Sequence, residues 1–290
     1  MKKKKYLQID EKFLPYLREK GCNHRSYKMY STIDIVNSII ENKALYLSSG
    51  YNWNDKVDRE NFNNDKLTML NFGRCFSYST SESVAMWMLY GGMKHRGAMI
   101  EFDKFAMLEI FNNTKQIEVG YFEEGAFVSL KTLGKDKFKI QLIDVVYVEK
   151  KNNDFIVRRP VGDIWSIGTE SNIFNNENYS FVHKSKAWDY EQECRLIVSI
   201  EKEKLKDLAD YKKIQMIKID IQGIDWKHVQ RIYAPNVLSE EKEKLKSNEF
   251  KESILTDEVE RKKPAYGQIK EFEDSILTGE VEWDLCLNCK

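Results

Sequence analysis

The chain has 290 residues, 42% of them hydrophobic and 12% aromatic, which is enough for one large or two modest folded units with a real core. Lysine plus arginine equals aspartate plus glutamate at 46 each, so net charge gives no support for a general polyanion-binding surface and disfavours long duplex DNA, while leaving room for a local basic patch. No run approaches ~18 consecutive apolar residues, so no membrane association is expected, and four prolines argue against long proline-rich linkers.

The Lys2–Lys5 run passes quickly into the mixed stretch Tyr6-Leu7-Gln8-Ile9-Asp10, so no secretory leader is expected and the run reads as a solvated terminus. Five scattered cysteines (Cys22, Cys75, Cys194, Cys286, Cys289) point to a reduced, cytoplasmic protein. Residues 1–25 are charged and only weakly periodic. Tyr27-Lys28-Met29-Tyr30 reads as a short strand, with aromatic residues on one face and the lysine on the other. Ser31-Thr32-Ile33-Asp34 reads as a serine-capped helix start with a buried stripe of Ile33, Ile35, Val36, Ile39 and Ile40. Ala44–Ser48 is the next strand, followed by a long polar loop from Gly50 to about Lys66 that holds Asn52, Trp53, Asn54 and Asp55.

Leu67 to Ser77 returns to strand. Ser79-Thr80-Ser81-Glu82 has the pattern of a capping box, with a helix running on through Val84, Trp87, Met88 and Tyr90 to Gly91-Gly92. Gly97–Phe102 is a strand, and Asp103 caps a helix to about Phe111. Strands follow near Gln116–Phe122 and over Phe138–Val148. A helix around Trp165 is expected, then a strand over 188–200, a helix over Lys202–Ala209, strands near 215–220 and 230–234, and a helix near 239–247. In the tail, Glu249–Glu260 nearly recurs at Glu271–Glu282, nine of twelve positions being identical. Two copies are too few for a solenoid. The division is a folded domain over 1–248 and a tail with a duplicated segment over 249–290.

The stretch Trp188-Asp189-Tyr190-Glu191-Gln192-Glu193-Cys194-Arg195 concentrates charge at the head of an apolar strand. Read as a strand, it puts Glu191, Glu193 and Arg195 on one face, the two carboxylates roughly 7 Å apart. They form either an exposed charged face that pairs across a sheet or a carboxylate pair in a cleft. In the second case a carboxylate below a ribose stabilises an oxocarbenium-like transition state as a C–N glycosidic bond breaks. Arg74–Ser81 brings small hydroxyls and free N–H groups to a strand end, where Ser77 can orient a polar ligand or simply belong to the turn. Cys75 reads as a small buried hydrophobe. The histidines (His24, His95, His183, His228) show no zinc spacing, no metal is expected, and Cys286-Leu287-Asn288-Cys289 is half a zinc site at most.

Taken in order, Tyr27-Lys28-Met29-Tyr30, Asn54-Asp55, Cys75-Phe76-Ser77 with Trp87 and Tyr90, Gly97–Phe102, and Lys184 with Trp188–Arg195 resemble a bacterial family of unknown function found among phage-defence genes. The same set resembles the ADP-ribosyltransferase superfamily, which places a basic or other residue on a first strand, a serine or tyrosine on a second and a glutamate, often Glu-x-Glu, on a third. The resemblance implies an α+β fold with a split, mostly antiparallel sheet and flanking helices. It implies NAD as substrate and ADP-ribosyl transfer to a nucleic-acid or protein acceptor, by an intracellular toxin or anti-phage effector with an antitoxin or regulatory partner. By it, Glu193 and Glu191 are catalytic, and Tyr27, Lys28, Tyr30, Ser77, Trp87, Tyr90 and Arg195 bind the dinucleotide. Two other readings stay open: a non-catalytic nucleotide- or nucleic-acid-sensing module using Lys2–Lys5, Lys28 and the aromatic residues, and a metal-dependent nuclease using Asp55, Glu191 and Glu193.

Overall fold

A computed structural model describes residues 13–50, 53, 68–91, 97–151, 154–158, 164–169, 182–208 and 213–234. The chain enters through helix α1 (Phe13–Gly21), then strand β1 (Ser26–Thr32), helix α2 (Ile33–Asn42) and strand β2 (Ala44–Ser48). Strand β3 (Met69–Ser77), helix α3 (Val84–Tyr90), strand β4 (Gly97–Asp103) and helix α4 (Lys104–Asn113) follow. Strands β5 (Gln116–Glu123), β6 (Ala126–Gly134), β7 (Phe138–Asp144), β8 (Val146–Lys151), β9 (Asp154–Arg158), β10 (Ile164–Thr169) and β11 (His183–Ser185) fill the middle of the chain. Strands β12 (Glu193–Glu201), β13 (Met216–Asp220) and β14 (Val229–Tyr233) complete the set. The result is α+β and mostly antiparallel, with few helices. A ten-stranded sheet carries the main core, and β8 to β11 form a second sheet, ordered β10-β9-β8-β11, in which β11 and β8 run parallel.

The large sheet branches at β3. Along one edge β3 pairs with β12 through nine residues, from Met69 opposite Glu201 to Ser77 opposite Glu193, and β12 pairs onward with β7. On its other edge β3 meets two strands. β1 touches it at Lys28 opposite Ser77, and β2 touches it at Ser48 opposite Gly73. β1 then continues to β4 and β14, and β2 to β13, β5 and β6. Between those two contacts Arg74, Cys75 and Phe76 have no strand partner on that edge among the described residues. A gap between diverging strands exposes backbone donors and acceptors that need other partners.

Alternation explains the packing. Phe72, Phe76, Leu196, Val198 and Ile200 are buried with Met29, Ile100, Phe102 and Ile217 in one apolar cluster, each large side chain contributing on the order of 1.5–3 kcal/mol. Helix α2 covers it with Ile33, Val36, Ile39 and Ile40, while Ile35 is exposed instead of joining the stripe. Gly21 ends α1 directly against β7: a Cβ there would stand 2.4 Å from the Leu142 carbonyl oxygen, so only glycine permits the approach.

Several expected elements differ. Thr32, not Ser31, occupies the cap of α2 and makes no side-chain cap bond; Asp34 still favours that end electrostatically. Helix α3 starts at Val84, capped by Ser83, whose hydroxyl accepts from Met86 N–H; the Ser79 hydroxyl lies against Ser81, so the earlier capping pattern is local turn structure. The Trp165 region is strand β10, in keeping with its aromatic and β-branched content. The Phe138–Val148 strand is broken at Val145, whose N–H donates to the Glu193 carbonyl as the chain crosses to the second sheet. Where a helix was expected from Lys202, residues 202–208 form only a 3-10 turn, Lys202–Leu205, and Ala209 lies outside the described residues. The hairpin partner β6 was not anticipated, nor was α1. Lys2–Lys5, Asn54, Asp55, His95, the helix near 239–247, the duplicated tail and the terminal Cys-x-x-Cys lie outside the described residues.

Candidate functional site

The strand expected over 188–200 is two pieces. Lys186–Glu191 is a 3-10 helix whose start is capped by the Ser185 hydroxyl, and β12 begins at Glu193. Between them Gln192 sits in the left-handed region (φ 43). Strand parity therefore does not bring Glu191 to the side of Glu193; the turn at Gln192 does. Both carboxylates are buried, at 2% and 3% exposure, which removes the exposed-face reading.

They face a cavity of about 480 Å³ in the branch of the sheet, lined by Lys28, Tyr30 and Ser31 of β1, Ser48 of β2, the unpaired Arg74–Phe76 edge and Ser77 of β3, and Tyr90 of α3. Lys184, Trp188, Glu191 and Glu193 close another wall, with Trp53 at the loop side. The size falls within the range of small-ligand pockets, about 300–1,000 Å³. Lys28, Ser77 and Glu193 form one row across three adjacent strands, because Ser77 is the cross-strand partner of both others.

Lys184 Nζ donates to Glu191 Oε2 at 2.5 Å and to Glu193 Oε2 at 3.3 Å, and lies 4.8 Å from the Trp188 ring centroid. Arg195, two residues along the same face of β12, donates from Nε to Glu193 Oε1 at 2.6 Å and from Nη2 to Oε2 at 3.3 Å. Its guanidinium lies 5.1 Å from the Trp53 ring centroid, and Trp53 is anchored by its indole N–H to Ser48 Oγ at 2.7 Å. Tyr90 donates its hydroxyl to Glu191 Oε1 at 2.6 Å. The Glu193 backbone N–H donates to the Tyr147 hydroxyl at 2.8 Å. Lys28 Nζ donates to the Ser79 carbonyl at 2.6 Å.

These contacts drive the two carboxyls apart. Burial raises both, but for Glu193 the charges of Arg195 and Lys184 outweigh it and hold the group below the usual glutamate range. Burial and then the Glu193 charge push Glu191 up, more than Lys184 and Tyr90 pull it down. Lys184 is raised, because Glu193 and Glu191 overcome the burial that would lower it. Burial and the neighbouring carboxylates raise the Tyr90 phenol, so it is a donor. Burial, then Glu193, raises Cys75 well above its ordinary value, so it is a thiol rather than a nucleophilic thiolate.

Of the nine residues singled out from sequence, Glu191, Glu193, Lys28, Tyr30, Ser77 and Tyr90 line the cavity. Lys28 and Tyr30 are two apart on β1, not on opposite faces as first expected. Tyr27 is fully buried with its hydroxyl on the Gly21 carbonyl and its ring edge-on to Phe76; it does not line the cavity, which corrects its role as a stacking residue. Trp87 packs edge-on to Tyr30 at 4.8 Å and also stands outside the lining. Arg195 supports Glu193 from behind. Sequence reasoning gave no role to Lys184, Tyr147 or Arg74. Lys184 had a usable signal, its place four residues before Trp188 in the stretch that carries the resemblance; Tyr147 had none.

Residues 86–196 match the family model described as a protein of unknown function, DUF2971. That span contains Tyr90, Lys184, Glu191, Glu193 and Arg195, and excludes Lys28, Tyr30 and Ser77. No curated protein matches the chain, and no solved structure does.

Proposed function

We propose that the protein is an ADP-ribosyltransferase that uses NAD as its donor. The observation that carries the reading is the row Lys28–Ser77–Glu193 across β1, β3 and β12, with Glu191 at its head, all on one cavity. A first-strand residue, a second-strand hydroxyl and a glutamate at the head of the third strand in register, preceded by Glu191 across the Gln192 turn, is close to the order the resemblance requires. The lining also suits a dinucleotide: Lys28, Arg74 and Lys184 outnumber the two carboxylates, which favours the pyrophosphate.

The chemistry divides between the two glutamates, as it does wherever paired acids are pushed to different pKa values. Glu193, held ionised, accepts from a ribose hydroxyl and stabilises positive charge on the ribose ring. The C–N bond to nicotinamide breaks, its electron pair leaving with the ring nitrogen, so nicotinamide departs neutral. The acceptor nucleophile then bonds to the anomeric carbon and passes its proton to Glu191, whose raised pKa suits a base. Ser77 orients the ribose or Glu193, and Tyr30 or Tyr90 offers a ring face to nicotinamide. Transfer to nucleic acid or to protein is equally compatible with this wall of residues, as is the role of toxin or anti-phage effector.

The test is direct. Purified protein mixed with NAD and cell extract is expected to release nicotinamide and to add ADP-ribose to an acceptor seen by mass spectrometry. NAD binding with no release and no adduct refutes transfer and leaves the sensing module.

A further inference from the structure

On the face of β12 opposite Glu193, a second cluster has no part in the chemistry above. Cys194 points away from the cavity and is directly paired with Asp144 across the β12–β7 ladder. His24, in the turn between α1 and β1, reaches the same spot: its Nε2 is 2.6 Å from Asp144 Oδ1. The imidazole, carboxylate and thiol donor atoms all lie within 4.8 Å of one another. We propose that His24, Asp144 and Cys194 form a structural zinc site.

Four features support the assignment. The donor set of one nitrogen, one oxygen and one sulfur suits zinc rather than magnesium or calcium. Charge closes to neutral: the aspartate and a cysteine thiolate match the dication and the histidine stays uncharged, which suits a site where Asp144 and Cys194 are buried. The imidazole is already oriented, stacked on Tyr78 at 3.9 Å with the rings 2° from parallel and edge-on to Tyr27 at 5.9 Å. The backbone is fixed too, since Gly21 holds the end of α1 on β7 and its carbonyl is 3.8 Å from Cys194 Sγ. Tetrahedral zinc separates nitrogen and oxygen donors by about 3.3 Å, so His24 and Asp144 need to part by only roughly 0.7 Å. As the ion enters, Cys194 gives its thiol proton to solvent and His24 carries its remaining N–H on Nδ1. A water supplies the fourth ligand, which keeps the site neutral. The three residues are separated by 120 and 50 positions in sequence, which is why no spacing motif announces them.

The terminal Cys286 and Cys289 are a rival pair, and the test separates them. Cobalt titrated into the purified full chain is expected to give a thiolate-to-metal charge-transfer band at one equivalent, with zinc displacing it. The band is expected to persist in the double variant Cys286→Ser, Cys289→Ser, and binding is expected to weaken roughly 100-fold or more in His24→Gln and in Cys194→Ala. Zinc is expected to raise the melting temperature of the tail double variant and not that of His24→Gln, a partly exposed position where the substitution leaves the core intact. No thiolate band in the unaltered chain, a band that vanishes with the tail cysteines, or binding unchanged in both His24→Gln and Cys194→Ala overturns the site.

Discussion

Glu193→Gln is the perturbation on which the proposed chemistry depends most. The amide keeps the shape of the side chain and can still accept from Arg195, but it removes the charge that balances a guanidinium with no solvent exposure. Breaking a buried ion pair by neutralising one partner costs about 3–5 kcal/mol. Lys184 keeps Glu191 at 2.5 Å, which places the cost toward the lower end of that range. For a domain of this size each 1 kcal/mol lowers the melting temperature by about 2–4 °C, so a fall of about 10 °C is expected with the fold retained. Loss of a preorganised electrostatic group at the developing charge lowers turnover by about 10²–10³. The assay is nicotinamide release from NAD at 25 °C, well below the variant's melting temperature, with circular dichroism as the folding control. A folded Glu193→Gln that releases nicotinamide at the parent rate refutes the assignment.

Glu191→Gln is expected to keep most of the stability, because Glu193 still faces Lys184, while slowing transfer to the acceptor more than nicotinamide release; the two rates are read separately. Because the Glu191 pKa is raised, the acidic limb of the parent's pH–rate profile is expected above the ordinary glutamate range, and Glu191→Gln is expected to abolish that limb. Lys184→Met leaves two buried carboxylates facing one another. Glu193, depressed in the parent, stabilises the fold above the ordinary glutamate pKa and loses that contribution as pH falls through its folded value, so the deficit of the variant is expected to be largest at neutral pH and to shrink in acid, as urea titrations across pH will measure. Gly21→Ala forces a methyl against the Leu142 carbonyl and is expected to cost about 1–3 kcal/mol in thermal melts.

The parts of the site written in the ladder were legible. Ser77 at the end of β3, where a run of hydroxyls begins, and Glu193 at the head of an apolar strand both lie where alternation puts them, and β3 and β12 carry them in register. Glu191 was found for an incomplete reason: strand parity suggested its place, but a left-handed Gln192 achieves it, and a non-glycine residue at positive φ leaves little trace in sequence. Tyr27 was misread because aromatic content says nothing about direction; the gap between β1 and β2 decides which face opens. The missed β5–β6 hairpin had a signal in Glu124-Gly125, where φ values of 49 and 83 make a tight reversal. Tyr147 and His24 reach their partners only through long-range topology, which local pattern does not encode.

The row of Lys28, Ser77 and Glu193 is set in register by strand pairing, not by the lengths of the segments that connect the strands. Deleting one residue inside β3 is a different matter. It would turn every later side chain of that strand over and put Tyr78 where Ser77 stands opposite Lys28 and Glu193.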